Sequence, residues 1–261
     1  MGSDIDQILT NFMEGLSNPY GLERSFQLRS ERLSTGRALY SVHRQHLGFR
    51  AKRKLLQLAE SLQVPADFIP DLDSLFDEAV IIHLGVDAGA THACKIYLEF
   101  PVSQPSAQNS LLFRAFKWAP QTGGQQAVTD YRIDGRYRAS EFSQSLQQYY
   151  PDADLIDQKL LIDSVLQIVH HRAPELELLA LNVTEHGNGR QSFDLNLYDA
   201  DLSLTDLADW LNTATQLFAI PESEWRPLLA HIQHQSLGHI AGGIDRKGDA
   251  FLSLYHGLQG S

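Results

Sequence analysis

The chain has one cysteine, Cys94, in 261 residues. No intramolecular disulfide can form and no cysteine-based metal cluster can be built, which excludes secreted disulfide scaffolds and zinc fingers together and makes a reducing compartment the expectation. No apolar run approaches the roughly 20 residues that cross a bilayer. Met1 to Asp6 carries neither the basic nor the apolar stretch of a signal peptide. The expectation is therefore a cytoplasmic protein with no membrane partner. Positive charge is also scarce, with 21 Lys and Arg against 32 Asp and Glu and a net of −11. Nucleic-acid binders present a basic face or stripe, so no nucleic acid is expected as partner. The one basic cluster, Arg44 to Lys54, reads most simply as the solvated face of a helix. A phosphate-cradling loop is missing as well: Gly242-Gly243 runs into Ile244 and a turn, not from a strand into a helix.

What is present is ample core material, 43% hydrophobic residues including 12 Phe, 9 Tyr and 3 Trp. No linker or low-complexity stretch divides it, and one domain over residues 1–261 is expected. Two periodicities alternate along the chain. Helical spacing of apolar residues recurs over Asp4 to Leu16, Arg50 to Leu62, Asp73 to Asp77, Ser140 to Tyr149, Asp154 to His171, Leu204 to Phe218 and Glu222 to Gln233. Between these lie pairs of alternating segments that read as hairpins. The first is Leu22 to Arg29 and Arg37 to His43, turning at Ser34-Thr35-Gly36. The second is Val80 to Val86 and Cys94 to Phe100, around Asp87 to Thr91. The third is Leu111 to Trp118 and Ala127 to Ile133, around Thr122-Gly123-Gly124. The fourth is Leu176 to Thr184 and Ser192 to Tyr198, and the fifth Gly238 to Ile244 and Ala250 to His256.

Side chains alternate across a strand, so each segment sorts into two faces. Phe26 and Leu28 oppose Glu23, Ser25, Gln27 and Arg29. Ile96, Leu98 and Phe100 oppose Lys95, Tyr97 and Glu99. Phe193, Leu195 and Leu197 oppose Asp194, Asn196 and Tyr198, and Leu252 and Leu254 oppose Ser253 and Tyr255. Helices can cover the apolar faces. The polar faces then open to water or enclose a lumen. Ten strands exceed the roughly eight whose interior side chains fill a barrel, so closure leaves a solvated chamber. Tyrosines among the polar positions suit a lined chamber. The expected fold is α+β: a ten-stranded antiparallel β-barrel of five hairpins with a solvated lumen, surrounded by helices in αββα repeats.

The run Lys95-Ile96-Tyr97-Leu98-Glu99-Phe100-Pro101 resembles the Lys-x-Tyr strand of the aromatic prenyltransferase barrel family. Gly21-Leu22-Glu23-Arg24-Ser25 is similar to the early Glu-x-Ser strand of its indole enzymes, and Arg37 stands where those place an arginine on the next strand. The resemblance covers the whole chain in architecture and only patches in sequence. It implies a transferase that moves an allylic group from a diphosphate donor to an aromatic or peptide-derived small molecule. On that reading Arg29, Arg37, Lys95 and Lys117 hold the diphosphate. Tyr97, Tyr198 and Tyr255 shield the allylic cation, and Glu23 takes the acceptor's proton. His83, Asn182, Asn196 and His239 are further candidate substrate contacts. No metal is demanded, although Mg²⁺ can assist a diphosphate.

One strand departs from the family. Where the indole enzymes carry Arg-x-Lys-x-Tyr, this chain has Asp194-Leu195-Asn196-Leu197-Tyr198, keeping the tyrosine and replacing both cations. A carboxylate there opposes a diphosphate. Two other readings stay open: a barrel doing acid/base chemistry as isomerase, lyase or hydrolase, with Asp194 and Glu23 as acid, base or amine anchor, and a non-catalytic small-molecule binder. Locally, Glu23 has the alternative of a surface carboxylate paired with Arg24 or Arg37, and Lys95 and Tyr97 that of a solvated strand face.

Overall fold

A computed structural model describes residues 2–16, 18–87, 92–102, 108–120 and 126–260. Ten strands form one closed barrel: β1 (Gly21–Arg29), β2 (Arg32–His43), β3 (Ile81–Asp87), β4 (Ala93–Glu99), β5 (Leu111–Trp118), β6 (Ala127–Arg138), β7 (Glu177–Glu185), β8 (Gln191–Asn196), β9 (Leu237–Ile244) and β10 (Ala250–Gly260). Each strand pairs antiparallel with its sequence neighbours, and β1 pairs with β10 to close the ring, so no sheet edge is left. Among the described residues seven α-helices accompany it: α1 (Gly2–Glu14), α2 (Ala51–Ser61), α3 (Ile69–Leu75), α4 (Ala139–Ser145), α5 (Ile156–Arg172), α6 (Ala208–Leu217) and α7 (Glu222–Ile232). The α+β barrel expected from the alternating periods is the one observed.

The hydrophobic core lies outside the barrel wall. Outward residues such as Ile96, Leu98 and Phe116 pack with Leu9 and Met13 of α1 and Leu55 of α2. On the opposite side Phe193, Leu195 and Leu254 meet Phe142 of α4, Val165 of α5 and Leu211 of α6. In α5 the buried set Leu161, Ile162, Val165, Leu166 and Val169 follows the i, i+4, i+8 stripe that one helix face presents. Phe193 is fully buried and contacts the rings of Phe142, Tyr149 and Tyr150, so truncating it to alanine would cost about 3–5 kcal/mol.

Several boundaries depart from the sequence reading. Ser34-Thr35-Gly36 is no turn: the chain reverses at Ser30 and Glu31, and Gly36 (φ 71°) sits in a bulge where Ser25 pairs Arg37 and Gln27 pairs Ser34. Glycine supplies a left-handed residue to a bulge as readily as to a turn, so the local signal is the same for both. Strand β6 passes through a second bulge beside Ile133 and continues to Arg138, five residues beyond expectation. Strand β8 stops at Asn196 and Tyr198 begins a 3₁₀ turn. Helix α3 starts at Ile69, earlier than expected, because Pro70 is tolerated in a first turn where its missing N–H has no partner to lose. The turns at 88–91 and 122–124 lie outside the described residues.

Candidate active site

Inward side chains fall two residues apart, and each strand reads down the barrel in steps of ~7 Å. Strand β4 shows the whole plan: Lys95 at one end of the lumen, Tyr97 at its waist, Glu99 toward the other end. Two cavities result, of about 280 and 350 Å³, both walled in part by Tyr97, Tyr131, Asp194 and Tyr255.

The smaller cavity is cationic. Eight Lys and Arg side chains face five carboxylates there, a positive excess inside a chain of net −11. Most of these cations are engaged. Arg29 pairs with Asp245, and Arg246 with Glu185 at 2.8 Å. Arg190 lies 3.8 Å from Glu185 and over the ring of Phe251. Arg37, only 7% exposed, donates from Nη1 to Ser253 Oγ (3.3 Å), while its buried Nε, 3.7 Å from Asp87, makes no hydrogen bond.

Lys95 and Lys117 differ from these. They are register partners on β4 and β5, and among the described residues no carboxylate lies within 4 Å of either ammonium. Gly85, opposite Lys95 on β3, leaves room for the lysine stem: a Cβ there would stand 3.2 Å from Lys95 Cβ. Burial, with Arg37 and Lys117 alongside, holds the Lys95 ammonium well below its usual range. Burial and Arg37 bring Lys117 down to about 8. Like charges directly opposite across a ladder destabilise the sheet.

At the waist, Tyr97 and Tyr131 stand 5.8 Å apart between ring centroids, and the Arg37 guanidinium lies 6.0 Å from the Tyr255 ring. Burial pushes all three phenols up, so they are neutral rings at physiological pH.

The larger cavity is mostly apolar and carries no lysine or arginine among the described residues. Leu39, Leu112, Leu179, Leu181 and Phe113 form much of its wall. Glu23 is 5% exposed and accepts a hydrogen bond from Tyr198 Oη at 2.7 Å. Burial raises its carboxyl above the ordinary range, against the pull of His239 and Tyr198. Thus Glu23 is no surface carboxylate, and neither Arg24 nor Arg37 is its partner. Asp194 bonds His239 Nδ1 at 2.7 Å. Burial disfavours the imidazolium, yet Asp194 and then Glu23 outweigh it and raise the His239 pKa. A second chain runs from Ser41 Oγ to His83 Nδ1 (2.8 Å) and from His83 Nε2 to Glu99 (2.9 Å). Glycine makes the first group possible. A Cβ on Gly238 would collide with Glu23 Oε1 and stand 2.6 Å from the Tyr198 ring, so the strand approaches both side chains closely only because this residue is glycine.

Of the residues singled out from sequence, Arg29, Arg37, Lys95 and Lys117 line the cationic cavity and Glu23, His83, Asn196, Tyr198 and His239 the other, with Tyr97, Asp194 and Tyr255 between. Asn182 is a correction. Leu179, Leu181 and Val183 of β7 point inward, which leaves Asn182 on the outer face. Sequence reasoning missed Tyr131, Arg246 and Lys247. On the outer face of β5 and β6 the ion pair of Arg114 with Asp130 (2.8 Å) interrupts the apolar row, so the alternation that marks a lumen face is blurred there. Arg246 and Lys247 looked like turn residues; they are, and they also reach the cavity. Among the described residues no three His, Cys, Asp or Glu side chains gather as a metal site. No helix is long and apolar enough to cross a membrane among those residues.

The sequence matches no family model and no curated protein. Solved structures do match. The prenyltransferase PriB, in ternary complex with L-tryptophan and dimethylallyl thiolodiphosphate, is 13% identical with a TM-score of 0.61, over 90% of this chain and 79% of that one. The 5-dimethylallyltryptophan synthase from Streptomyces coelicolor is 12% identical at 0.60, over 90% and 80%. The 6-dimethylallyltryptophan synthase from Micromonospora olivasterospora, in complex with DMASPP and Trp, is 12% identical at 0.59, over 90% and 81%. With helices outside, strands in up-and-down order and the polar face turned inward, the chain has the barrel fold of the aromatic prenyltransferases.

Proposed function

We propose that the protein transfers an allylic group from a diphosphate donor to an aromatic small molecule within the lumen. The observation that carries this reading is the adjacency of three unlike surfaces: the unpaired Lys95 and Lys117, the neutral tyrosine waist, and the cavity with buried Glu23. The diphosphate lies against Lys95, Lys117 and Arg37, whose buried Nε has hydrogen-bonding capacity to spare. The allylic C–O bond breaks with its electron pair going to the diphosphate. Cationic donors stabilise the charge that develops on the leaving oxygen.

The allylic cation forms between Tyr97, Tyr131 and Tyr255, whose ring faces attract it and whose bulk keeps water away. A ring atom of the acceptor donates its electron pair, making the new bond. The acceptor then loses a proton to Glu23, whose burial raises its carboxyl above the ordinary range and so makes it a stronger base. Asp194 does not cancel the cationic end, because His239 takes up its charge. Loss of Arg-x-Lys from β8 is offset by Arg190, Arg246 and Lys247, which come from outside that motif. The structural neighbours, whose complexes hold tryptophan and dimethylallyl thiodiphosphates, support this choice of chemistry.

Calorimetric titration with dimethylallyl and geranyl thiodiphosphates, with and without Mg²⁺, tests the reading. Saturable binding that weakens by about 10- to 100-fold in Lys95→Ala is expected. No binding under any of these conditions would return the protein to acid/base chemistry in the same barrel.

A further inference from the structure

The cavity around Glu23 has a charge pattern that its proposed role as acceptor chamber does not require. Its wall includes three carboxylates, Glu23, Glu99 and Asp194, and among the described residues no lysine or arginine. Asp194 is matched by His239 at 2.7 Å. Glu23 is bound by a phenol. Glu99 has the His83 imidazole at 2.9 Å, and His83 in turn has the Ser41 hydroxyl at 2.8 Å. In the tautomer that accepts from Ser41 at Nδ1, His83 donates from Nε2 to Glu99, an arrangement that orients Glu99 without cancelling its charge. The Phe113 ring stands edge-on to His83 (5.5 Å) and to Tyr131 (5.9 Å), an aromatic wall beside that carboxylate. The cations of the lumen lie past the tyrosine waist, in the other cavity.

We infer that the acceptor is an aromatic amine bound as its ammonium, with the ammonium on Glu99 and the ring against Phe113 and Tyr131, and that aromatic amino acids are poor ligands. This deepens the donor and acceptor assignment above and rests on it. An α-carboxylate entering this cavity meets carboxylates of its own sign and, among the described residues, no lysine or arginine to replace its lost hydration, the His239 imidazole being already bonded to Asp194. An ammonium meets the reverse. It also has no lone pair while protonated, so the nucleophile is the ring and the amine serves only as a handle.

The test is calorimetry on the full chain with tryptamine, 3-methylindole and L-tryptophan, each with and without saturating dimethylallyl thiodiphosphate. Tryptamine is expected to bind at least about tenfold more tightly than either of the others, as a charge-assisted contact provides. In Glu99→Gln that advantage over 3-methylindole should vanish, while 3-methylindole itself stays within about twofold of wild type. If Glu99→Gln does not fold, salt on the wild type decides: rising NaCl should weaken tryptamine and leave 3-methylindole unchanged. L-Tryptophan binding as well as tryptamine, a preference that survives Glu99→Gln, equal salt responses, or no binding by any of the three would each overturn the inference. Donor affinity is read at the opposite cavity. Intact donor binding without amine preference sinks this inference alone, and amine preference without donor binding sinks the transfer reading alone.

Discussion

At one end of the lumen Lys95 and Lys117 face each other across β4 and β5 with no carboxylate within 4 Å among the described residues, while farther down the barrel Glu99 of β4 is bonded to His83 and Asp194 of β8 to His239. Both ends are buried, and both are built on alternating positions of the same sheet. The difference is in satisfaction. The lysines of the cationic end have no hydrogen-bonded carboxylate, whereas at the other end Glu23, Glu99 and Asp194 are each hydrogen-bonded, to Tyr198, His83 and His239, within a mainly apolar wall. Burial without a partner lowers the lysines, whereas burial with one raises His239. The first pattern suits recognition of an anion that leaves after each turnover. The second suits a base that must hold its place between turnovers.

The largest expected break comes from Glu23→Gln. Product formation should fall on the order of 10²- to 10⁴-fold, the usual contribution of a positioned base, with thiodiphosphate affinity unchanged because Glu23 lines only the other cavity. The pH profile sharpens this. In the proposed reaction Glu23 works as carboxylate, so the wild-type rate should drop on the acid side through a pKa above the ordinary 4.5, and that limb should be absent from the residual rate of the variant. A wild-type limb at 4.5 or below would contradict the burial argument.

Next in size is the cationic end. Lys95→Ala should weaken thiodiphosphate by about 10- to 100-fold, as loss of a charge-assisted contact does, and leave acceptor affinity alone. Equal losses for donor and acceptor would show that the waist does not separate the two cavities.

The barrel was legible in the sequence because its inward and outward rows differ in polarity on β1, β4, β8 and β10. Lys95, Tyr97 and Glu99 against Ile96 and Leu98 is the clearest case. Where both rows are polar the reading failed: Asp130 on the outside of β6 is as polar as Thr129 within, so Tyr131 went unnoticed. The pairing of Asp194 with His239 is 45 residues long in sequence and depends on β8 lying beside β9. Nothing local announces it, and Asp194 alone reads as a charge hostile to a diphosphate. Tyr198 is the reverse case. Its predicted strand stops at Asn196, two residues short of it, yet its phenol still reaches Glu23 because Gly238 leaves the space.

A smaller effect separates binding from stability. In the free protein Lys117 titrates near 8 against an ordinary 10.5, so the folded state disfavours its proton. The cost is full below pH 8, declines as pH rises toward 10.5 and is gone above it. Lys117→Met should therefore raise Tm at pH 7 by about 2–4 °C per kcal/mol recovered, with a gain that shrinks across that window, while donor binding weakens. A gain that is constant with pH would assign the effect to packing rather than to charge.

The smallest effect is a null on β7, where one strand separates lumen from exterior residue by residue. Leu181 and Val183 face inward, and Asn182 between them faces out. Asn182→Ala should change neither donor affinity nor turnover and should shift stability by no more than about 0.5 kcal/mol, as expected for a half-buried outer position without a hydrogen-bond role. The position discriminates because strand register has no intermediate setting. A slip of one residue in β7 would turn Asn182 into the lumen and Leu181 out of it, so a large loss of donor or acceptor binding in this variant would overturn the pairing of β7 with β6 and β8, and with it the face assigned to Asp194 through its partner Leu181.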